Sequence, residues 1–320
     1  MERLKVAAVQ LEARVGNRLY HLQQAEEALK EAASLGARWV ALPEFLTTAM
    51  AFHPSIAAAI EPFPGPTYTW LEEQARRLNL TIGASWIIRL PSGALRNRFV
   101  LMGPSGFLGY HDKDIPTMWE NAWYEGGEDE GILRTPLGPV GAALCWEFLR
   151  SATVRRLRGK VRLVMGGSAW WDVPENLPGS LLWRWVHRQN VNLWQAALPT
   201  FSRLVGAPII HGNWCGEIKG SWALGTSYRT RYIASAQVVE RDGTVMAERT
   251  PDEGFGIVVT RIDVGEPSPL GEVPDTFWLH PLLNLPHWRF FWWFQNAHGV
   301  RYRRRVTERR LVRKGGEISS

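Results

Sequence analysis

The chain has 320 residues, of which 45% are hydrophobic, 21% are charged and 11% are aromatic. This composition excludes a disordered chain and supports a sizeable core. No run of 18 apolar residues is present, and the N-terminus lacks the long apolar stretch of a signal peptide, so we expect a cytoplasmic protein without an ordinary transmembrane helix. The two cysteines, Cys145 and Cys215, are too few for a disulfide framework or a structural zinc site.

The net charge of +6 belongs to the C-terminal segment. Residues 301–320 contain eight basic and two acidic residues, whereas the other 300 residues contain 29 of each sign. The sequence pI of about 9.5 therefore describes a tail rather than the body of the protein. We expect no nucleic-acid partner on this count.

Strand-like and helix-like segments alternate along most of the chain. The predicted strands cover residues 5–10, 38–42, 81–88, 98–102, 140–144, 161–165, 208–211, 234–240 and 256–262. The predicted helices cover residues 19–35, 67–78, 148–157 and 181–198. Asp242 and Gly243 form a predicted hairpin turn. Alternating elements followed by hairpins indicate a layered α/β protein with a mixed sheet.

A Pro-rich stretch separates the C-terminal segment from the rest of the chain. We predict a main domain over residues 1–265 and an aromatic and basic extension over residues 266–320. Eight aromatic residues lie within 277–294: Phe277, Trp278, Trp288, Phe290, Phe291, Trp292, Trp293 and Phe294. Three roles remain open: packing against the body or a subunit interface, which we favour; contact with a membrane surface; and contact with nucleic acid, the weakest of the three.

Three separated segments carry side chains suited to nucleophilic catalysis. They are LPEF at 42–45, HDKDIPTMWE at 111–120 and ALCWEF at 143–148. Each lies where a predicted strand ends, and in layered α/β folds strand ends and the loops after them collect reactive groups. These segments supply Glu44, Lys113 and Cys145.

These residue types suit attack on a carbon–nitrogen bond. A helix after Cys145 is expected to lower the pKa of its thiol and favour the thiolate. The thiolate attacks a carbonyl or nitrile carbon, Glu44 transfers the thiol proton to the departing nitrogen, and Lys113 stabilises the developing charge. Glu120 would keep Lys113 protonated and orient the substrate. Pro116 predicts a turn and a short helix between these two residues.

The three segments in this order resemble the motifs of the nitrilase superfamily of carbon–nitrogen hydrolases. LPEF matches the glutamate motif, the segment from Lys113 to Glu120 is similar to the lysine motif of the nitrilase branch, and ALCWE matches the cysteine motif. The resemblance covers about residues 3–263. Two features depart from it, namely the aspartates on either side of Lys113 and the sequence FLRSATVRR after Glu147.

The resemblance implies a fold and an activity. The implied fold is a four-layer α-β-β-α sandwich, a single domain with a C-terminal extension, assembled into a homo-oligomer. The implied activity is hydrolysis of a small nitrile or amide to a carboxylic acid and ammonia through a thioester on Cys145. No metal and no organic cofactor are expected.

Each candidate residue also has a plainer interpretation. Alone, Cys145 could be a buried apolar side chain, Glu44 a helix cap and Lys113 part of a surface ion pair. The tryptophans near the motifs either line an aromatic substrate pocket or form ordinary core: Trp119, Trp123, Trp146, Trp170 and Trp171. Of these, Trp146, Trp170 and Trp171, together with Glu120, are our candidate substrate-positioning residues. The alternative function is a catalytically weak or lipid-linked protein whose tail docks a partner or a membrane surface.

Overall fold

Helices and strands of the chain follow one another in the alternating order that the sequence predicts. A computed structural model describes residues 2–174, 180–221 and 227–309. The α-helices of these residues are α1 (Arg18–Ser34), α2 (Ser55–Ala58), α3 (Pro66–Leu78), α4 (Ser151–Leu157), α5 (Ser180–Val205) and α6 (Pro286–Tyr302). The strands are β1 (Glu2–Glu12), β2 (Trp39–Ala41), β3 (Glu61–Pro62), β4 (Thr81–Arg89), β5 (Leu95–Gly103), β6 (Gly106–Asp112), β7 (Ile132–Thr135), β8 (Gly138–Leu144), β9 (Leu163–Gly167), β10 (Ile209–Cys215), β11 (Glu217–Ser221), β12 (Ser227–Arg231), β13 (Ala236–Val239), β14 (Val245–Arg249) and β15 (Gly256–Val264).

The sheet bends into two halves around the first strand. Among the described residues, thirteen strands connect, and their main order is β6-β5-β4-β2-β1-β10-β9-β8-β7. On one edge β1 pairs in parallel with β2, and on the other it changes partner at Gln10, from antiparallel β15 to parallel β10. This change of partner lets the β10–β7 half fold back over the other half.

Apolar side chains form three layers of core. In β1, Val6 and Ala8 point between the two halves of the sheet, whereas Ala7 and Val9 point toward α1 and α3. A third cluster lies between the second half of the sheet and the helices α4 and α5, where Leu157 and Phe201 are buried. Because successive strand residues face opposite sides, each half of the sheet is covered on both faces. The α-β-β-α sandwich predicted from the resemblance is confirmed.

Some elements differ from the sequence predictions. The predicted helix over 148–157 is divided into a 3-10 helix, Cys145–Leu149, and then α4, while α5 continues to Val205. The missed strands are β3, β6, β7, β11, β12 and β14, and the missed helices are α2 and α6. Among the described residues, no helix has the length and apolarity that crossing a membrane requires.

Candidate active site

The three motif residues meet where three strands end. Glu44 follows β2 after two residues, Lys113 follows β6 directly and Cys145 follows β8 directly. All three side chains are buried, with exposed fractions of 1% or less. Ligating atoms of Glu44, Glu120 and Cys145 all lie within 4.8 Å of one another. The structure therefore brings together the side chains that the motifs singled out.

Lys113 lies between two carboxylates. Its Nζ donates hydrogen bonds of 2.8 Å to Glu44 Oε1 and of 2.8 Å to Glu120 Oε2. Burial lowers the pKa of Lys113, but the charges of Glu120 and Glu44 outweigh burial and hold that pKa above its usual value. A surface ion pair is excluded, because the flanking Asp112 and Asp114 pair instead with Arg98 and Arg150.

The Glu44 carboxylate has a full set of donors. Besides Lys113, it accepts hydrogen bonds from Asn97 Nδ2 at 2.8 Å and from the backbone N–H of Ala169 at 3.2 Å. Burial raises the pKa of Glu44 to about 7, although Lys113 opposes the shift. A carboxyl group with this pKa can exchange a proton near neutral pH.

Two glycines make room for the segment that carries Glu44. A Cβ atom at Gly167, the last residue of β9, would lie 2.7 Å from the backbone nitrogen of Glu44. A Cβ atom at Gly212 of β10 would lie 2.5 Å from the carbonyl carbon of Leu42. Both contacts are shorter than side-chain carbon allows, so these glycines permit the close approach that places Glu44 beside Ala169.

Cys145 occupies a strained turn between β8 and the 3-10 helix. Its φ of 51° lies in the left-handed region that non-glycine residues rarely adopt. Burial, and next the charge of Glu44, raise the pKa of the Cys145 thiol well above its usual value, although Lys113 opposes this. The expectation of a resting thiolate is wrong for this site, because a five-residue 3-10 helix and two carboxylates replace the α-helix dipole.

Glu147 supports the turn that carries Cys145, which we call the nucleophile turn. Its carboxylate accepts a hydrogen bond of 2.7 Å from the backbone N–H of Leu144, the residue before Cys145. His111 Nε2 lies 3.1 Å from each Glu147 oxygen, and His111 Nδ1 lies 2.6 Å from Asp129 Oδ1. Burial lowers the pKa of His111, but the two carboxylates outweigh it and raise that pKa to about 9. A buried imidazolium therefore braces this turn, a role that the sequence did not reveal.

Glu120 belongs to the short helix that Pro116 predicts. This 3-10 helix spans Met118–Ala122, and Glu120 Oε2 accepts from the backbone N–H of Thr117 at 2.9 Å. The hydroxyl of Tyr124 also donates to Glu120 Oε2. Tyr124 was missed in the sequence, where only its position four residues after Glu120, about one helical turn, hints at the contact.

Glu44, Glu120 and Cys145 have the spacing of a metal-binding group. However, Lys113 Nζ already hydrogen-bonds to both carboxylates at 2.8 Å. A metal ion bound by these three side chains would lie next to this ammonium group.

A cavity of about 310 Å³ opens beside Cys145 and is walled by aromatic rings. Four of the tryptophans near the motifs line it: Trp119, Trp146, Trp170 and Trp171. The fifth, Trp123, packs instead against Phe52 and Tyr302. Sequence analysis missed Trp183, Trp185, Trp288 and Phe291, which also line the cavity.

Helix α6 packs one of its faces onto the site. Trp292 stacks on Trp146, with ring centroids 5.5 Å apart and an interplanar angle of 10°. After the helix, Thr307 Oγ1 donates to the carbonyl of Ala122 at 2.7 Å. The outer face of α6 exposes Phe290, Trp293 and Phe294. The inner face of this helix therefore packs against the body of the protein, as we favoured. A partner that covers the outer face stays a prediction.

Cys215 and three further polar side chains, His187, His211 and Asn213, are each paired with groups other than Glu44, Lys113 and Cys145. Cys215 is buried, and its Sγ lies 3.4 Å from the carbonyl oxygen of Leu11. His211 pairs with Ser168 at 2.7 Å, and Asn213 Nδ2 donates to the carbonyl of Ser235 at 3.3 Å. His187 hydrogen-bonds to Asp172 at the edge of the cavity.

The sandwich and the convergent glutamate, lysine and cysteine are the arrangement that the resemblance to carbon–nitrogen hydrolases implies. Residues 5–188, more than half of the chain, match the carbon–nitrogen hydrolase family. The chain therefore belongs to this family.

Individual relatives include both nitrilases and amidases. The chain is 32% identical over 163 residues to a nitrilase from Pyrococcus abyssi, covering 49% of this chain and 62% of that protein. It is 29% identical over 164 residues to a chloroplastic omega-amidase from Arabidopsis thaliana, covering 46% of this chain and 44% of that protein. The matches thus span less than two thirds of these relatives.

A solved structure with the same fold is an amidase from Nesterenkonia sp. AN1. It has a TM-score of 0.63 and 17% identity, with 83% of this chain and 94% of that chain covered. In that structure acrylamide had undergone Michael addition at the active-site cysteine. At this identity, the likeness establishes the fold alone.

Proposed function

We propose that the protein hydrolyses a carbon–nitrogen bond in a small nitrile or amide, releasing a carboxylic acid and ammonia through a thioester on Cys145. The observation that carries the proposal is the buried ammonium group of Lys113, 2.8 Å from each of two carboxylates and beside the Cys145 thiol. Burying such charges costs several kcal/mol in stability even when they are paired, and clusters of this kind are typical of catalytic sites.

The reaction begins with transfer of the thiol proton. Glu44 takes the proton from Cys145 Sγ as the sulfur attacks the substrate carbon and a carbon–sulfur bond forms. A base is needed because the thiol rests protonated. Negative charge develops on the substrate oxygen or nitrogen, and the Lys113 ammonium stabilises it.

Loss of ammonia follows directly for an amide. Glu44 returns the proton to the leaving nitrogen, the carbon–nitrogen bond breaks and a thioester remains on Cys145. A nitrile first gives a thioimidate, to which one water adds before ammonia leaves. In either case Glu44 then deprotonates a further water, which attacks the thioester. The carbon–sulfur bond breaks, the carboxylic acid is released, and Glu44 returns the proton to the Cys145 sulfur.

Mass spectrometry of the trapped enzyme tests this scheme. The protein is incubated with benzonitrile, phenylacetamide and acrylamide, ammonia is measured, and peptides are searched for added mass. We expect ammonia release from a substrate and an adduct on Cys145, both lost in Cys145→Ala. Cys215→Ala is the matched control and should keep both. Full ammonia release in Cys145→Ala, or an adduct on Cys215 alone, would contradict the proposal.

A further inference from the structure

The cavity beside Cys145 is formed by parts of the chain that lie far apart in the sequence. Helix α6, beyond the matched region 5–188, closes its outer side. The described lining of the cavity includes Trp119, Trp146, Trp170 and Trp171 near Cys145, and Trp288 and Phe291 of α6. Aromatic rings from both the motif segments and α6 therefore share one cavity with the reacting sulfur.

Two polar side chains of this lining, Asp172 and Asn190, hydrogen-bond to each other, and His287 and Gln295 of helix α6 are its other described polar side chains. Asn190 Oδ1 accepts from Trp170 Nε1 at 2.8 Å, and Asn190 Nδ2 lies 3.3 Å from Asp172 Oδ1. The other Asp172 oxygen hydrogen-bonds to His187. The described lining contains no lysine or arginine, and Asp172 is its one carboxylate. An anionic group on a substrate would find no strong cation here and would meet a carboxylate.

The walls suit a flat, uncharged ring. Trp119 and Trp171 lie with ring centroids 4.7 Å apart, and Trp146 and Trp170 lie 5.9 Å apart. Contacts between aromatic rings add to the free energy that is gained by burying their surface. A volume of about 310 Å³ is at the small end for ligand sites, which fits a substrate of one or two rings.

We infer that this site selects uncharged aryl nitriles or aryl amides over amides and nitriles that carry a carboxylate, and that Phe291 of α6 is a specificity-determining residue for the aryl group. This inference rests on the proposed function for the identity of the reacting group. The ring binds among the tryptophans, and α6 supplies the outer wall that removes it from water.

Binding to the inactive protein tests this selectivity without requiring turnover. In Cys145→Ala, the quenching of tryptophan fluorescence is titrated with benzonitrile and with 4-cyanobenzoate, which differ by one carboxylate. We expect benzonitrile to bind at least about tenfold more tightly, because the carboxylate loses its hydration without gaining a cation. Equal or tighter binding of 4-cyanobenzoate would overturn the inference, even if ammonia release by the wild-type protein supports the proposed function.

Two substitutions on α6 test the outer wall. Phe291 lines the cavity and is 42% exposed, whereas Trp293 lies on the outer face and is 63% exposed. In the Cys145→Ala background, Phe291→Ala should weaken benzonitrile binding about tenfold, whereas Trp293→Ala should leave it within about twofold. Thermal melting verifies that both variants are folded. Equal effects of the two substitutions would remove the specificity role of Phe291.

Discussion

Two regions of this site are built in opposite ways: the charged cluster of Glu44, Lys113 and Glu120, called the floor, and the aromatic lining of the cavity, called the wall. At the floor, the charged groups of Glu44, Lys113 and Glu120 are buried and joined by hydrogen bonds. At the wall, apolar rings from several elements meet around a cavity. A hydrogen-bonded cluster of buried charges depends on every member, whereas an apolar wall depends mainly on shape and volume. Substitutions at the floor should therefore lower the rate of the chemical steps, and substitutions at the wall should change which substrates bind.

The largest effect is expected from Lys113→Met. This change removes the ammonium group and leaves Glu44 and Glu120 facing each other without a counter-charge, so kcat/KM should fall at least roughly 100-fold. In Glu44→Gln, kcat/KM should fall by as much, because the general base is lost. Glu120→Gln should lower kcat/KM less, because Lys113 keeps its hydrogen bond to Glu44. Steady-state ammonia release measures all three, and near-normal rates in Lys113→Met would contradict the assigned role.

The second expectation concerns the pH dependence of the floor. Because the pKa of Glu44 is raised to about 7 and the base acts in its ionised form, kcat/KM should rise about tenfold per pH unit below 7 and level off above it. The profile should be measured with an uncharged substrate, so that only the protein titrates. A profile that is flat between pH 5 and 8 would show that Glu44 is not the group that limits the rate.

A smaller effect, on stability, is expected below the nucleophile turn. The pKa of His111 is about 9 in the folded protein, above the ordinary histidine value of 6.5, so its ion pairs stabilise the fold fully below pH 6.5. This contribution is lost as the pH rises through 9. His111→Gln should therefore lower the free energy of unfolding by about 3 kcal/mol at pH 6 and by much less at pH 10. Urea denaturation at both pH values measures this, and a pH-independent loss would refute it.

The smallest effect is expected on the outer face of α6. Replacing Phe290, Trp293 and Phe294 together by serine should leave turnover within about twofold, because none of these exposed side chains lines the cavity. The same variant tests the predicted partners of this face. A different oligomer size from that of the wild-type protein indicates a subunit contact. If the wild-type protein sediments with anionic vesicles and the variant does not, the face contacts a membrane. A tenfold loss of turnover at unchanged assembly size would show that this face belongs to the site after all.

The sequence was more informative about the floor than about the wall. Glu44, Lys113 and Cys145 each follow a run of strand-forming residues, so their convergence at strand ends could be predicted. In α6, by contrast, aromatic residues occupy both the inner and the outer face, as Trp292 and Trp293 show. Without an alternation of polar and apolar residues, periodicity cannot indicate which face is buried. Residues such as Phe291 were therefore recognisable as a wall only in three dimensions.

The protonated resting state of Cys145 affects how easily the protein is oxidised during storage. Peroxide and similar oxidants attack thiolates, and they require access to the sulfur. Cys145 lines the cavity, but burial raises the pKa of its thiol, so little thiolate is available to an oxidant until a substrate and Glu44 act on the sulfur together. We expect the protein to keep its activity through prolonged storage without added reductant, unlike enzymes whose cysteine rests as an exposed thiolate.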